Sequence, residues 1–152
     1  MKERTLVIIK PDGMKRGLMG ECIRRFENEK LKIIQIRIGR LTSKKIDLLK
    51  KDIKNNHKII YNELKKYLKE YSVCAMILEG KNCIKTARKI IGNANPKLAS
   101  SGTIRKDYAK GDMQNLYKKG KVVKNIIHSS LNWIEAEREI EILFDEKTCE
   151  GK

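Results

Sequence analysis

The order of apolar runs along this chain predicts an α+β domain. Its core is of βαββαβ type, with four strands in an antiparallel sheet, helices on one face and a long loop inserted before the last strand. Three observations carry that expectation. The elements read from the residues fall in the order β-α-β-α-α-β-α-loop-β-α. The run Val73-Cys74-Ala75-Met76-Ile77-Leu78 is apolar without a break, as a central strand must be. No repeat and no second composition interrupts the 152 residues, so 1–152 is expected to form a single domain.

Leu6-Val7-Ile8-Ile9 is a β-branched run stopped by Lys10-Pro11-Asp12-Gly13, which reads as a turn. Leu18, Met19, Cys22, Ile23 and Phe26 then follow helical spacing. Ile34, Ile36 and Ile38 alternate with Gln35 and Arg37, the pattern of a strand with one wet face. Thr42 or Ser43 caps a lysine-rich helix carrying Ile46, Leu49 and Ile53, and a second helix carries Ile60, Leu64, Tyr67 and Leu68. After the central strand, Glu79-Gly80 leads into a helix with Ile84, Ala87, Ile90 and Ile91, which Gly92 ends. From Gly92 to Lys121 no period is sustained, and a loop of that length in a small domain is usually functional or disordered. Val122 to Ile127 is strand-like. Asn132 with Glu135 has the shape of a helix N-cap pair, and the last helix is expected to run to about Phe144, before a short polar tail.

Composition narrows the chemistry. With 35 Lys+Arg against 19 Asp+Glu the net charge is +16, a field that attracts anionic substrates or polyanions. The lysines are scattered along helix faces, and aromatics are only 5%, without the basic-aromatic interleaving of a base-stacking platform. The charge therefore favours the handling of phosphates over DNA binding. Cys22, Cys74, Cys83 and Cys149 lack metal-type spacing and read as small hydrophobes or incidental thiols in a reducing compartment. No apolar run reaches membrane-spanning length and no signal sequence is evident, so a cytoplasmic location without membrane attachment is expected.

The most informative phrase is Asn125-Ile126-Ile127-His128-Ser129-Ser130, which ends an apolar run on one of two histidines. An imidazole at a strand edge can act as a nucleophile near neutral pH, or simply line a packed turn. Five earlier phrases stand in order before it. They are Ile9-Lys10-Pro11-Asp12-Gly13 with Arg16-Gly17-Leu18 and Gly20-Glu21; Ala75-Met76 with Glu79-Gly80; Lys85-Thr86-Ala87-Arg88; Gly92 with Asn95-Pro96; and Gly102-Thr103-Ile104-Arg105 with Asp107. Lys-Pro-Asp-Gly alone is an ordinary turn, but the six in sequence resemble the nucleoside diphosphate kinase family over residues 4–144.

That resemblance implies a ferredoxin-like fold and a ping-pong reaction. A nucleoside triphosphate gives its γ-phosphate to His128, and the phosphohistidine passes it to a nucleoside diphosphate. Glu139 matches the carboxylate that orients the imidazole, Ser130 the hydroxyl that bonds to that carboxylate, and Asn125 the contact to the sugar hydroxyl. Lys10, Arg88 and Arg105 match the cationic clamp on the phosphates, the charge stabilisation that phosphoryl transfer needs most. Mg²⁺ is implied as cofactor, held mainly by substrate oxygens and water. A homo-oligomer is implied too, as hexamer, tetramer or dimer.

The chain departs from the family pattern in several places. Lys51-Asp52-Ile53 stands where a phosphate-reaching tyrosine is usual, and Lys58-Ile59-Ile60-Tyr61 where a phenylalanine stacks on the base. Ile60 and Tyr61 are thus the candidate base contacts, with His57 as a substitute. A lost stacking ring is worth roughly 1–3 kcal/mol, about one to two orders of magnitude in affinity. Ala94, Ser101 and Ser129 replace a threonine, a proline and a glycine. An insertion lies around Ala109 to Lys119, and the C-terminal tail is short. The missing aromatic and the positive charge leave one alternative, a nucleotide- or nucleic-acid-binding protein on the same fold with weak or no transfer.

Overall fold

The computed structural model describes residues 2–144. Strand β1 (Glu3–Ile9) is followed by helices α1 (Pro11–Lys15) and α2 (Met19–Asn28), then by β2 (Lys32–Gly39). Helices α3 (Ser43–Leu49), α4 (Lys51–Asn56) and α5 (Lys58–Lys69) lead to β3 (Val73–Gly80) and α6 (Cys83–Ile91). A 3₁₀ turn (Pro96–Leu98), α7 (Ile104–Tyr108) and α8 (Met113–Lys118) precede β4 (Ile127–Ser129) and α9 (Trp133–Phe144). The four strands stand in the order β2-β3-β1-β4, every pairing antiparallel, as a ferredoxin-like βαββαβ core requires.

Helices cover both faces of this sheet, not one. Alternate residues of a strand point to opposite sides. Leu6, Ile8, Ala75 and Ile77 pack with Ile46 and Leu49 of α3, Leu64 and Tyr67 of α5, and Ile140 and Leu143 of α9. Val7, Ile9, Cys74, Met76 and Leu78 pack with Cys22 and Phe26 of α2, Ala87 and Ile91 of α6, and Ile104 of α7. The unbroken apolar run of β3 follows from this double burial. Phe26 is fully buried, and truncating such a ring to alanine costs about 3–5 kcal/mol.

Four further expectations shift. Pro11-Asp12-Gly13 opens helix α1, with Pro11 at its first turn where the missing N–H costs nothing. The stretch 92–121 holds a 3₁₀ turn and two helices, each too short to show a period. The insertion is tied down, because the Asn95 side chain accepts from Met113 N–H (3.0 Å) and donates to Asp112 (3.2 Å). In β2 the isoleucines face outward: Ile34, Ile36 and Ile38 are 48%, 47% and 54% exposed. The pairing with β3 shifts between Ile33 and Gln35, a bulge that leaves Ile36 and Ile38 opposite Met76 and Cys74.

The last strand is also shorter and later than its apolar run suggests, Ile127–Ser129 in place of 122–127. Ile126 breaks the run. Its φ is +74°, and Ile127 N–H donates to the Asn125 main-chain carbonyl at 2.8 Å, closing a three-residue turn around it. A β-branched residue with positive φ is strained by about 1–3 kcal/mol and persists only where its surroundings hold it.

Candidate active site

The strained turn aims the histidine. Lys10 N–H donates to the Ile126 carbonyl (2.7 Å), and the Asp12 carboxylate accepts Ile126 N–H (3.1 Å). Asp12 also accepts the Tyr67 hydroxyl, so one side chain joins α1, α5 and the turn. Gly13 lets α1 come this close: a Cβ there would lie 3.0 Å from the Ile126 Cγ2 and 2.8 Å from the Ile9 Cγ2. Past the turn, His128 pairs with Ile8 and so shares its face of the sheet, the face that α9 covers. A slip of one residue would turn the imidazole to the opposite side.

Helix α9 supplies the partner. Asn132 Oδ1 accepts Glu135 N–H (2.9 Å) and Glu135 reaches back to Leu131 N–H (3.0 Å), so the helix start is capped as the sequence predicts. Ala136, Glu139, Ile140 and Leu143 then share its buried stripe. Glu139 Oε2 lies 2.9 Å from His128 Nε2 and accepts the Ser130 hydroxyl at 2.9 Å. An ionised carboxylate only accepts, so Nε2 carries the proton and Nδ1 keeps its lone pair. Burial works to raise the Glu139 carboxyl, but His128, Ser130 and Lys50 together hold it below its ordinary value. Burial, then the charge of Lys50, pull the His128 imidazole down to about 4, against the opposing pull of Glu139. The ring is therefore neutral at physiological pH.

His128 opens on a cleft of about 730 Å³ whose wall also carries Lys50, Arg88, Ala94, Arg105, Glu135 and Glu139. Arg88, on α6, is exposed, and its guanidinium makes no hydrogen bond to a described residue. Arg105, on α7, is buried and donates to the main-chain carbonyls of Gly92 (3.0 Å), Asn125 (3.3 Å) and Ile127. Three of its five N–H groups thus hold the histidine segment to the Gly92 bend, and the others remain for a ligand. Burial and Arg88 draw its guanidinium down to about 10, still cationic at neutral pH. Gly92 sits at φ +92°, where a Cβ would fall 2.5 Å from the Thr103 hydroxyl.

Lys10, Asn125 and Ser130 lie buried behind this wall. The Lys10 ammonium donates to Asn125 Oδ1 (2.7 Å), and Asn125 Nδ2 donates to the Ala94 carbonyl (2.8 Å). Burial, Lys50 and Arg105 hold Lys10 well below the usual lysine range. Ile60 and Tyr61 do not reach the cleft wall. Both are 5% exposed, Tyr61 packs in the α3–α5–α9 core, and its hydroxyl is buried without a hydrogen-bond partner among the described residues. His57 sits between α4 and α5. In the sequence Asp12 reads as a turn residue and Lys50 as one base among many, since only the tertiary fold brings Asp12 to the Ile126 turn and Lys50 to the cleft of His128. Among the described residues no three His, Cys, Asp or Glu side chains gather as a metal site.

Comparison with known proteins agrees with this geometry. The nucleoside diphosphate kinase family model matches residues 3–149. A nucleoside diphosphate kinase of Saccharolobus solfataricus is 38% identical over 143 residues, covering 94% of this chain and 95% of its own. Among solved structures, a transition-state mimic of nucleoside-diphosphate kinase from Borrelia burgdorferi, with bound vanadate and ADP, superposes with a TM-score of 0.88 at 34% identity, covering 96% of this chain and 89% of that one. An NDP kinase from Pyrobaculum aerophilum gives 0.84 at 30% identity, covering 97% and 98%. The chain belongs to the nucleoside diphosphate kinase family.

Proposed function

We propose that the protein transfers the γ-phosphate of a nucleoside triphosphate to a nucleoside diphosphate by a ping-pong route through His128. The observation that carries this reading is a neutral imidazole with Nε2 bonded to Glu139 and Nδ1 free of any described partner, on the wall of a cationic cleft. The Nδ1 lone pair attacks the γ-phosphorus, the bond to the bridging oxygen breaks, and the nucleoside diphosphate leaves with that electron pair. A second nucleoside diphosphate then takes the phosphoryl group by the reverse displacement. Glu139 and Ser130 fix the ring, while Arg88 and Arg105 offset charge on the phosphoryl oxygens. Lys10 reaches the same oxygens by exchanging its bond to Asn125, which frees the amide for the sugar hydroxyl.

Asp52, a carboxylate on the cleft wall, would meet the hydration shell of a Mg²⁺ ion brought in with the nucleotide phosphates, and that ion would supply charge neutralisation. The outward isoleucine face of β2 supports association into a homo-oligomer. One domain remains the reading for 1–152, supported over the described residues by two cores that share a single sheet. Buried unpaired Cys22, Cys74 and Cys83 support a reducing, cytoplasmic setting; Cys149 lies outside the described residues. Among the described residues no helix is long and apolar enough to cross a membrane. A binding protein without transfer, for nucleotide or nucleic acid, is not favoured, because the likeness to kinases spans nearly the whole chain and the nucleophile keeps its orienting carboxylate.

Incubation with γ-labelled ATP and Mg²⁺ tests the reading. Acid-labile, base-stable label is expected on the wild-type protein and none on His128→Ala, with nucleotide exchange falling by roughly 10⁴-fold or more. An unlabelled, well-folded wild type, or a labelled His128→Ala, refutes it.

A further inference from the structure

Lys50 stands where α3 ends and α4 begins. Its N–H closes α3 on the Ile46 carbonyl at 2.9 Å, and its own backbone leaves helical geometry at φ −117° and ψ 31°. That break sets the side chain on the cleft wall beside His128, Glu135 and Glu139. Its charge acts on His128 from β4, Glu139 and Glu135 from α9, Arg105 from α7 and Lys10 at the end of β1.

Several other lysines pair directly with carboxylates. Lys54 and Lys65 reach Asp47, Lys97 reaches Asp112, and Lys124 reaches Glu70. The Lys50 ammonium makes no hydrogen bond or ion pair with a described residue. The glutamates nearest to it are already engaged, Glu139 by His128 and Ser130, Glu135 by the Leu131 N–H. A partly desolvated cation without a direct partner is costly, and an anion in the cleft offsets that cost.

We propose that Lys50 is a substrate-contacting cation, whose ammonium binds the phosphoryl oxygens of the nucleotide beside His128. It adds a third cation, from the α3–α4 junction, to Arg88 of α6 and Arg105 of α7 on the lining of the same cleft. The assignment rests on the transfer reading above. Two effects of the same charge support it: burial already holds the Lys50 ammonium below the ordinary lysine range, and after burial Lys50 is the largest influence keeping His128 unprotonated.

The test compares Lys50→Met and Lys50→Arg with wild type in equilibrium ADP binding, in single-turnover labelling of His128, and in the NMR titration of the two histidines. Lys50→Met is expected to weaken ADP binding by about 10- to 100-fold and to slow labelling at least as much. Lys50→Arg keeps the charge and stays within about fivefold, half of a charge-assisted contact on a logarithmic scale. The His128 midpoint rises in Lys50→Met and holds in Lys50→Arg, which a purely structural role would not produce. The proposal is overturned if Lys50→Met matches wild type within about twofold in ADP binding, or if Lys50→Arg loses as much as Lys50→Met. Wild type that binds ADP but takes no label refutes the transfer reading, while the binding series still decides Lys50. Wild type that binds no ADP overturns both.

Discussion

The two walls of the cleft are built in opposite ways. On the β4–α9 side, His128, Ser130 and Glu139 satisfy one another, with both distances at 2.9 Å, and the histidine main chain is locked by a strained turn. On the α3–α6–α7 side, Arg88 and Lys50 bring charge to the cleft with no direct partner among the described residues, and Arg105 keeps part of its donor capacity. The first wall gains nothing in pairing from a ligand, so it can hold a nucleophile in one geometry whether or not nucleotide is bound. The second wall is repelled by its own charges until phosphate arrives, so its binding energy is available only with substrate present. Orientation and charge neutralisation are therefore separable, and substitutions can address one without the other.

The largest effect should come from Gly92→Ala, which attacks the cation wall from behind. The new Cβ meets the Thr103 hydroxyl at 2.5 Å on a backbone with φ +92°, and the Gly92 carbonyl is an Arg105 anchor. A loss of about 2–4 kcal/mol in unfolding free energy is expected from strain and overpacking together. Denaturant melts check it, and an unchanged midpoint would show that the bend adapts freely. Glu139→Gln attacks the other wall. Removing the charge behind Nε2 should slow phosphorylation by about 10- to 100-fold, as loss of a charge-assisted bond does, and lower the His128 midpoint further because Glu139 acts to raise it. Nucleotide affinity should change little, and a large fall in affinity would mean that the walls are not separable. Asp12→Ala removes the acceptor of both Ile126 N–H and the Tyr67 hydroxyl. It should cost about 1–3 kcal/mol in stability, with a slower rate of labelling and intact ADP binding.

The walls also differ in how far the sequence reveals them. His128, Arg88 and Arg105 are legible because each sits in a short phrase of fixed spacing, and Glu139 by its place on the last helix. Even the capping pair Asn132 and Glu135 reads correctly, since its geometry is local. Lys50 is invisible among the chain's 35 basic residues, because only the break between α3 and α4 separates it from a solvated helix lysine. Asp12 looks like half of a turn until α5 and the Ile126 turn fold onto it. The strand boundary fails for the same reason: Val123, Ile126 and Ile127 are all buried, so their apolar run says strand, while the positive φ at Ile126 delays the sheet to Ile127. Tyr61 is the reverse case, an aromatic in the right neighbourhood that the core claims through α5.

The smallest expected effect concerns pH, and its smallness is diagnostic. A histidine with an ordinary value near 6.5 would lose roughly tenfold in neutral fraction on going from about pH 7.5 to about pH 5.5. His128 is held down to about 4 by burial and by Lys50, so its neutral, nucleophilic form persists through that interval. Protonation removes the attacking lone pair, so the rate must fall as pH drops, but only on approaching about 4. Glu139, held below its ordinary value, stays ionised over the same range and keeps Nε2 as the protonated nitrogen. Single-turnover labelling should therefore change by less than about twofold between about pH 7.5 and about pH 5.5. In Lys50→Met the acid limb should move up toward the ordinary histidine value, because the repelling charge is gone. A wild-type limb near 6.5 would show that neither burial nor the cation wall lowers the nucleophile in solution.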